Sequence, residues 1–250
     1  MGERMQISRV LARLDSHLSK NDYDTARTYL ADRLAEADAL GDTDARLLLL
    51  NESMGLYRKL GRQREAIGFA EAALAAAEEQ QDAAPVTAAT TRINAATVYK
   101  AFGQAARALP LFYAAKDTYE RYLPSDDARL GGLYNNMGLA LVDEGDFREA
   151  ERVYALAVDT MKRTRDGAPE LAVTYLNMAD AAAKEHGIEA AEAEVSRLSE
   201  AAWTLLDAYP HRDGRYAFVC EKCAPVFGYY GYFAYEAELS ARARRIYERA

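Results

Sequence analysis

The chain has 250 residues, of which 31 are Lys or Arg and 39 are Asp or Glu, so its formal net charge is −8. This acidic balance, with scattered basic residues, argues against a nucleic-acid-binding protein. No stretch approaches about 20 uninterrupted apolar residues and the N-terminus lacks the apolar run of a signal peptide, so we expect no membrane span and a cytoplasmic location.

Helix is the element that the composition favours along nearly the whole chain, because Ala, Leu, Glu and Arg dominate. Turn signals interrupt the helical stretches, and most carry an Asp or Pro suited to the start of the next helix. The pattern predicts a single domain over residues 1–250 made of about six helix–turn–helix units. Their expected bounds are 3–40, 43–81, 84–123, 126–165, 168–206 and 213–249.

Glycine marks the middle of four of these units on a fixed period. Gly61, Gly103, Gly145 and Gly187 follow one another at intervals of 42 residues. A constant period in the range of 20–50 residues indicates a repeat architecture, in which each unit buries its apolar face against its neighbours. We expect each of these glycines to form a tight turn between two helices.

Residues 133–158, within the fourth unit, show the pattern of one helix pair most clearly. Its first helix places Tyr134, Met137, Gly138 and Leu141 on one face, at helical spacing. After the turn at Gly145, the second helix carries an apolar stripe of its own. That stripe consists of Phe147, Ala150, Tyr154 and Ala157, and we expect the small residues Gly138 and Ala150 to allow the two helices to approach closely.

This unit closely resembles a tetratricopeptide repeat. The marks of that family are the glycine of the first helix, Gly138, the alanine four residues before an aromatic side chain, Ala150, and Ala157 three residues beyond it. The 42-residue period resembles the longer-helix variant of kinesin light chains. The resemblance covers nearly the whole chain and implies an all-α, right-handed superhelical solenoid with a concave, non-catalytic binding groove.

Sequence signals for catalysis are lacking. The chain has no phosphate-binding glycine loop, no HExxH and no GxSxG motif. Its three histidines, His17, His186 and His211, are far apart in sequence and are interpreted as surface or helix-end residues. We therefore predict no catalytic residue, no metal site and no cofactor.

Cys220 and Cys223 form a lone CxxC pair with no second pair and no adjacent histidines. Three interpretations remain open for them: packing in the core, a redox-sensitive pair, or a metal site. Core packing is favoured, because the two thiols would lie on one side of a predicted helix.

Asparagine recurs in the middle of the first helices, where it is a mediocre helix former. Asn94, Asn136 and Asn177 are expected at equivalent places in three successive repeats, with Asn135 beside them and Asn51 one residue out of phase. In the resembled family this face lines the concave groove, where amide side chains would bind a peptide backbone. The alternative is that these side chains only bridge adjacent helices.

Other polar side chains are predicted to follow the same groove. They are Thr97, Lys100, Asp180 and Lys184.

Residues 225–239 hold the densest aromatic cluster of the chain, including Tyr229, Tyr230, Tyr232 and Phe233. We expect a Tyr-rich C-terminal helix that packs on a final helix at 237–249. The alternative is a partly exposed wall at one end of the groove, or a surface through which two copies form a homodimer.

The predicted function is that of a scaffold that binds a protein or peptide ligand in its groove, without nucleic acid or membrane as a partner. The alternative is a regulatory protein whose groove senses a small signal peptide and whose superhelix changes conformation on binding.

Overall fold

The computed structural model describes residues 4–249 and is all-α over that range, without a β-strand. It contains twelve described helices, which follow one another as six helix–turn–helix pairs. The second helix of the fifth pair ends at Ala208, two residues beyond the expected bound of 206. The predicted start of the first repeat at residue 3 and the last residue of the chain lie outside the described range. The helices are α1 (Ile7–Leu18), α2 (Tyr23–Leu40), α3 (Thr43–Lys59), α4 (Gln63–Gln80), α5 (Pro85–Ala101), α6 (Ala105–Tyr122), α7 (Ala128–Asp143), α8 (Phe147–Arg163), α9 (Ala168–His186), α10 (Ile188–Ala208), α11 (Gly214–Tyr229) and α12 (Phe233–Tyr247).

The periodic glycines form the turns inside the pairs, as predicted. Gly61, Gly103, Gly145 and Gly187 have φ angles of 67°, 71°, 77° and 84°, in the left-handed region that side chains with a Cβ rarely adopt. Several helices then begin at an aspartate whose carboxylate accepts a hydrogen bond from a backbone N–H of the first turn, as Asp146 does from Glu149.

The chain forms two compact units, residues 1–119 and 120–250, and the boundary falls within α6. The core of the first unit is built largely from small side chains such as Ala66, Ala70 and Ala73 under Leu50 and Met54. Small side chains allow the helices to approach closely, which is how a repeat protein without a central globular core buries its surface.

In the second unit, α7 and α8 pack most closely at Gly138. A Cβ at this position would stand 2.5 Å from Cε1 of Tyr154, whose ring is fully buried. The sequence expectation that Gly138 permits the close approach of these two helices is confirmed.

The core of the second unit continues through α9 and α10 to α11 and α12, where Tyr216, Phe227 and Leu239 are fully buried.

The predicted Tyr-rich C-terminal helix is not one helix, which corrects the sequence interpretation. Gly231, with a φ of 84°, ends the first part of the aromatic cluster, and α12 begins at Phe233 rather than at 237. The cluster is therefore divided between the end of α11, a turn and the start of α12, because glycine at positive φ again separates two helices of a pair.

Across residues 4–249, no helix has the combination of length and apolar character that crossing a bilayer requires.

Candidate functional site

The first helices of the second unit, α7, α9 and α11, share a face that carries two neighbouring pockets. The first, which we call the asparagine pocket, has a cavity volume of about 260 Å³. Its lining is mainly apolar side chains and amide side chains. It includes Asn135, Asn136 and Asn177 with Leu139, Val173, Leu176 and Val226, together with the charged side chains of Glu170 and Lys222.

A hydrogen-bond relay connects α7 to α9 beneath this pocket. Nδ2 of Asn135 donates to Oγ1 of Thr174 at 2.9 Å, and that hydroxyl donates to the carbonyl of Glu170. Nδ2 of Asn177 in turn approaches Oδ1 of Asn135 at 3.5 Å. Asn135 is only 7 % exposed, so its amide is a buried polar group that depends on these partners.

The first unit contains an equivalent relay between α3 and α5. Nδ2 of Asn51 donates to Oγ1 of Thr91 at 3.1 Å, Thr91 donates to the carbonyl of Thr87, and Nδ2 of Asn94 donates to Oδ1 of Asn51 at 2.8 Å. The relay borders a cavity of about 410 Å³, which Glu52 and Thr90 also line.

These pairings correct the expected phase of the asparagines. Asn51 and Asn135 play the same part, and so do Asn94 and Asn177, whereas Asn136 donates to the carbonyl of Gly132 in its own helix. The relays show the helix bridging that the sequence left as an alternative. Asn135 is itself buried and its partner Thr174 is fully buried, so Asn135 lies in the core rather than beside it.

Sequence reasoning missed the threonines of both relays. Thr91 stands three residues before Asn94, and Thr174 stands three residues before Asn177. Residues three apart face the same side of a helix, so the repeated TxxN spacing was a signal that could have identified them.

The second pocket, which we call the tyrosine pocket, adjoins the first through Val226 and has a volume of about 370 Å³. Its walls are largely apolar and its one acidic group is Asp180. Its lining consists of Asp180, Ala183, Lys184, Ile188, Pro225, Val226, Tyr229 and Tyr230. The hydroxyl of Tyr230 donates to Oδ1 of Asp180 at 2.6 Å and so joins α11 to α9.

Burial governs the protonation of this pair. Withdrawal from water raises the pKa of Asp180, against the opposing effects of the Tyr230 hydrogen bond and of Lys184. The pKa of Tyr230 is also raised, first by burial and then by its hydrogen bond to the carboxylate. Nζ of Lys184 forms an ion pair with Oδ1 of Asp143 on α7 at 3.3 Å, and its side chain is about half exposed.

The other predicted groove residues belong to α5. The hydroxyl of Thr97 donates to the carbonyl of Ile93 in the same helix, and the half-buried Lys100 lies one turn further on. Both are in the first unit.

The aromatic cluster is partly packed and partly exposed. Tyr232 stacks on Tyr235, which stacks on Trp203 with ring centroids 4.0 Å apart, so these rings pack within the second unit. By contrast, Tyr229 and Phe233 are each 69 % exposed.

Both cysteines are buried in the core of the second unit and carry free thiols. Burial raises the pKa of Cys220 and of Cys223, which disfavours the reactive thiolate. This environment agrees with core packing. Among residues 4–249, no cluster of three metal-liganding side chains is present.

Solved structures provide the comparison for this arrangement. The chain is similar to BtubC (BKLC) from P. vanneervenii, with 22 % identity, a TM-score of 0.69, and coverage of 82 % of this chain and 83 % of that one. It is also similar to a putative kinesin light chain from Podospora anserina with TPR-like repeats, at 18 % identity and a TM-score of 0.56, over 80 % of this chain and 94 % of that one.

The chain has a tetratricopeptide-like repeat fold. A third tetratricopeptide-like neighbour by fold is a Rap protein complexed with Competence and Sporulation Factor, at 14 % identity and a TM-score of 0.63, over 99 % of this chain and 66 % of that one. No protein-family model and no curated protein sequence matches the chain significantly. The resemblance to tetratricopeptide repeats predicted from Gly138, Ala150 and Ala157 is thereby confirmed at the level of fold.

Proposed function

We propose that the chain is a non-catalytic repeat protein that binds an extended segment of a partner protein or peptide along the α7–α9–α11 face. The observation that carries this proposal is the incomplete hydrogen bonding of the asparagine pocket. Within residues 4–249, no protein group donates to Oδ1 of Asn136 or of Asn177, although each Nδ2 makes a contact.

Such half-satisfied amides suit an extended peptide. A peptide backbone offers one N–H donor and one C=O acceptor per residue, whatever its side chains are. The apolar lining that includes Leu139, Val173 and Val226 would bury the aliphatic part of such a segment. Bridging and binding are compatible here, because an amide carries two donors and two acceptor sites and the bridges use only some of them.

A signal-sensing role is the second candidate, and a specific observation favours it. The Rap protein that shares this fold over 99 % of the present chain is complexed with Competence and Sporulation Factor. In that role, binding would change the conformation of the repeats. A change in radius of gyration by small-angle scattering at saturating ligand would distinguish a sensor from a scaffold.

The test uses random heptapeptides displayed on phage, selected on the intact chain. The strongest synthetic peptide is then measured against Asn136→Ala/Asn177→Ala, with Gln63→Ala as control because Gln63 is an exposed amide on α4. Loss of two neutral hydrogen bonds should weaken binding roughly tenfold or more in the double variant only. Equal affinity for all three proteins, or no enriched peptide, would contradict the proposal.

Homodimerisation stays a prediction that rests on the exposed rings of Tyr229 and Phe233. Analytical ultracentrifugation of the intact chain and of Tyr229→Ser/Phe233→Ser tests it. A dimer that the double variant loses would support the prediction, and a monomeric intact chain would refute it.

A further inference from the structure

The tyrosine pocket combines apolar walls with a single acidic side chain. Ile188, Pro225 and Val226 supply apolar surface, and the ring of Tyr229 stands largely exposed at its side. In this setting Asp180 is the one acidic side chain of the lining. A carboxylate in apolar surroundings loses hydration, and that loss favours a ligand that brings a compensating positive charge.

The second oxygen of this carboxylate is available to a ligand. Oδ1 accepts from Tyr230, but no group among residues 4–249 makes a hydrogen bond to Oδ2. The cation of the lining, Lys184, makes its ion pair with Asp143 on α7. Asp180 therefore keeps one acceptor oxygen without a hydrogen-bond donor beside an open cavity of about 370 Å³.

Aromatic rings complete the site. Tyr229 and Tyr230 meet nearly edge to face, with centroids 5.0 Å apart and an interplanar angle of 82°. Both rings line the pocket, and the faces of tyrosine rings attract cations. An apolar stem could then lie against Ile188 and Pro225 while its charged end reaches the carboxylate.

We propose that the tyrosine pocket binds the side chain of a lysine or arginine of the bound peptide, with its ammonium or guanidinium group donating to Asp180. This inference rests on the proposed function and adds a sequence preference to it. An acidic side chain would face the Asp180 charge, and a neutral aliphatic one would displace water from that charge without bringing a hydrogen-bond donor to its second oxygen.

The two pockets are spaced for one extended ligand. Asn177 and Asp180 are three residues apart on α9, which is about 4.5 Å along the helix axis. An extended peptide advances about 3.3 Å per residue, so a backbone held at Asn177 would place a side chain one or two residues away in the tyrosine pocket.

The test compares three peptides, Ac-Gly-Leu-Xaa-Leu-Gly-NH2 with lysine, norleucine or glutamate as Xaa. Each is titrated to millimolar concentration into ¹⁵N-labelled protein, and the amide shifts of α9 and α11 are followed. The proteins are the intact chain, Asp180→Asn, and Glu185→Gln as a charge-matched control on the same helix but outside the tyrosine pocket. The dispersion of each spectrum verifies that the variant is folded.

We expect the lysine peptide to bind roughly tenfold more tightly than the norleucine peptide, as for a charge-assisted hydrogen bond, and the glutamate peptide to bind weakest. Asp180→Asn should abolish this preference and Glu185→Gln should keep it. Equal affinities for lysine and norleucine, a preference that survives in Asp180→Asn, or no shift near the pocket would overturn the proposal. The phage peptides and their dependence on Asn136 and Asn177 test peptide binding separately, so the two proposals can fail independently.

Discussion

Asn94 donates from Nδ2 to Oδ1 of Asn51 across 2.8 Å, and this contact joins the first helices of two consecutive repeats. The second unit repeats the arrangement with Asn177 and Asn135, and Asn135 follows Asn51 by two full periods. In each case the asparagine of the earlier helix also donates to a buried threonine of the later one. The relays hold neighbouring repeats in register while leaving amide groups at the surface of a pocket.

Asn135 and Asn136 are adjacent, yet they should differ sharply in their effect on stability. Asn135→Ala should lower the free energy of unfolding by about 1–3 kcal/mol, because it leaves the buried amide and hydroxyl partners of the relay without their bonds. Asn136→Ala removes only a bond within its own helix and should cost less than about 1 kcal/mol. Urea unfolding followed by circular dichroism measures both, and equal losses would contradict the assignment of the relay to Asn135.

Gly138→Ala should destabilise the protein by about 1–3 kcal/mol, because the new methyl group would collide with the buried ring of Tyr154. Gly132→Ala, on the same helix, is the matched control: no atom lies within 4 Å of its added Cβ. There the better helix propensity of alanine should stabilise α7 by up to about 1 kcal/mol. The midpoints of thermal unfolding should therefore shift in opposite directions, and a shift in the same direction would argue against close packing at Gly138.

The raised pKa of Asp180 predicts a specific pH dependence of stability. Because the folded state binds the proton more tightly than the unfolded chain, the contribution of Asp180 is greatest below the unfolded pKa and is lost as pH rises through the folded pKa. The groups facing Asp180 are Lys184 on its own helix, Tyr230 on α11 and Tyr154 on α8.

The measurement is the free energy of unfolding of the intact chain minus that of Asp180→Asn, determined at several pH values. This difference should become more favourable to the intact chain as pH falls from neutral towards about 4, the ordinary range of aspartate. The same difference curve for Glu185→Gln serves as the reference. A flat curve for Asp180, or one of opposite slope, would show that burial does not control this carboxylate.

Arg242 should be the most important cation of the last repeat. Its guanidinium donates to Asp207, Glu238 and the hydroxyl of Tyr216, and the residue is only 7 % exposed. Arg242→Met should lower the free energy of unfolding by about 2–3 kcal/mol. This loss is smaller than the loss expected for a fully buried ion pair, because the carboxylates of Asp207 and Glu238 both retain contact with water.

Arg245→Met is the matched control for this change, since Arg245 lies in the same helix but is half exposed. It should alter the unfolding free energy by no more than about 0.5 kcal/mol. Equal effects of the two substitutions in urea unfolding would mean that the network around Arg242 adds nothing to stability.

The repeat fold could be predicted from the sequence because it depends on local, periodic properties. Glycine is the residue that tolerates a positive φ, so Gly145 and its equivalents identified the turns within helix pairs. The small residue at Gly138 and the large one at Tyr154 likewise indicated where two helices of a pair touch. These features follow from each residue's own conformational and steric limits, which is why the sequence alone determined the fold class and the four turns of the 42-residue period, although it missed the turn at Gly231.

Only the tertiary structure decided which polar side chains meet. A shift of one residue rotates a side chain by about 100° around the helix, so a 42-residue period could not show whether Asn135 or Asn136 faces Asn177. The contact between Asp180 and Tyr230 joins residues 50 positions apart and depends on how α9 packs against α11. Periodicity therefore predicted the framework, and the TxxN spacing marks the helix face that carries each relay. Which side chains pair across helices, and where the two pockets form, depended on the relative rotation of the packed helices.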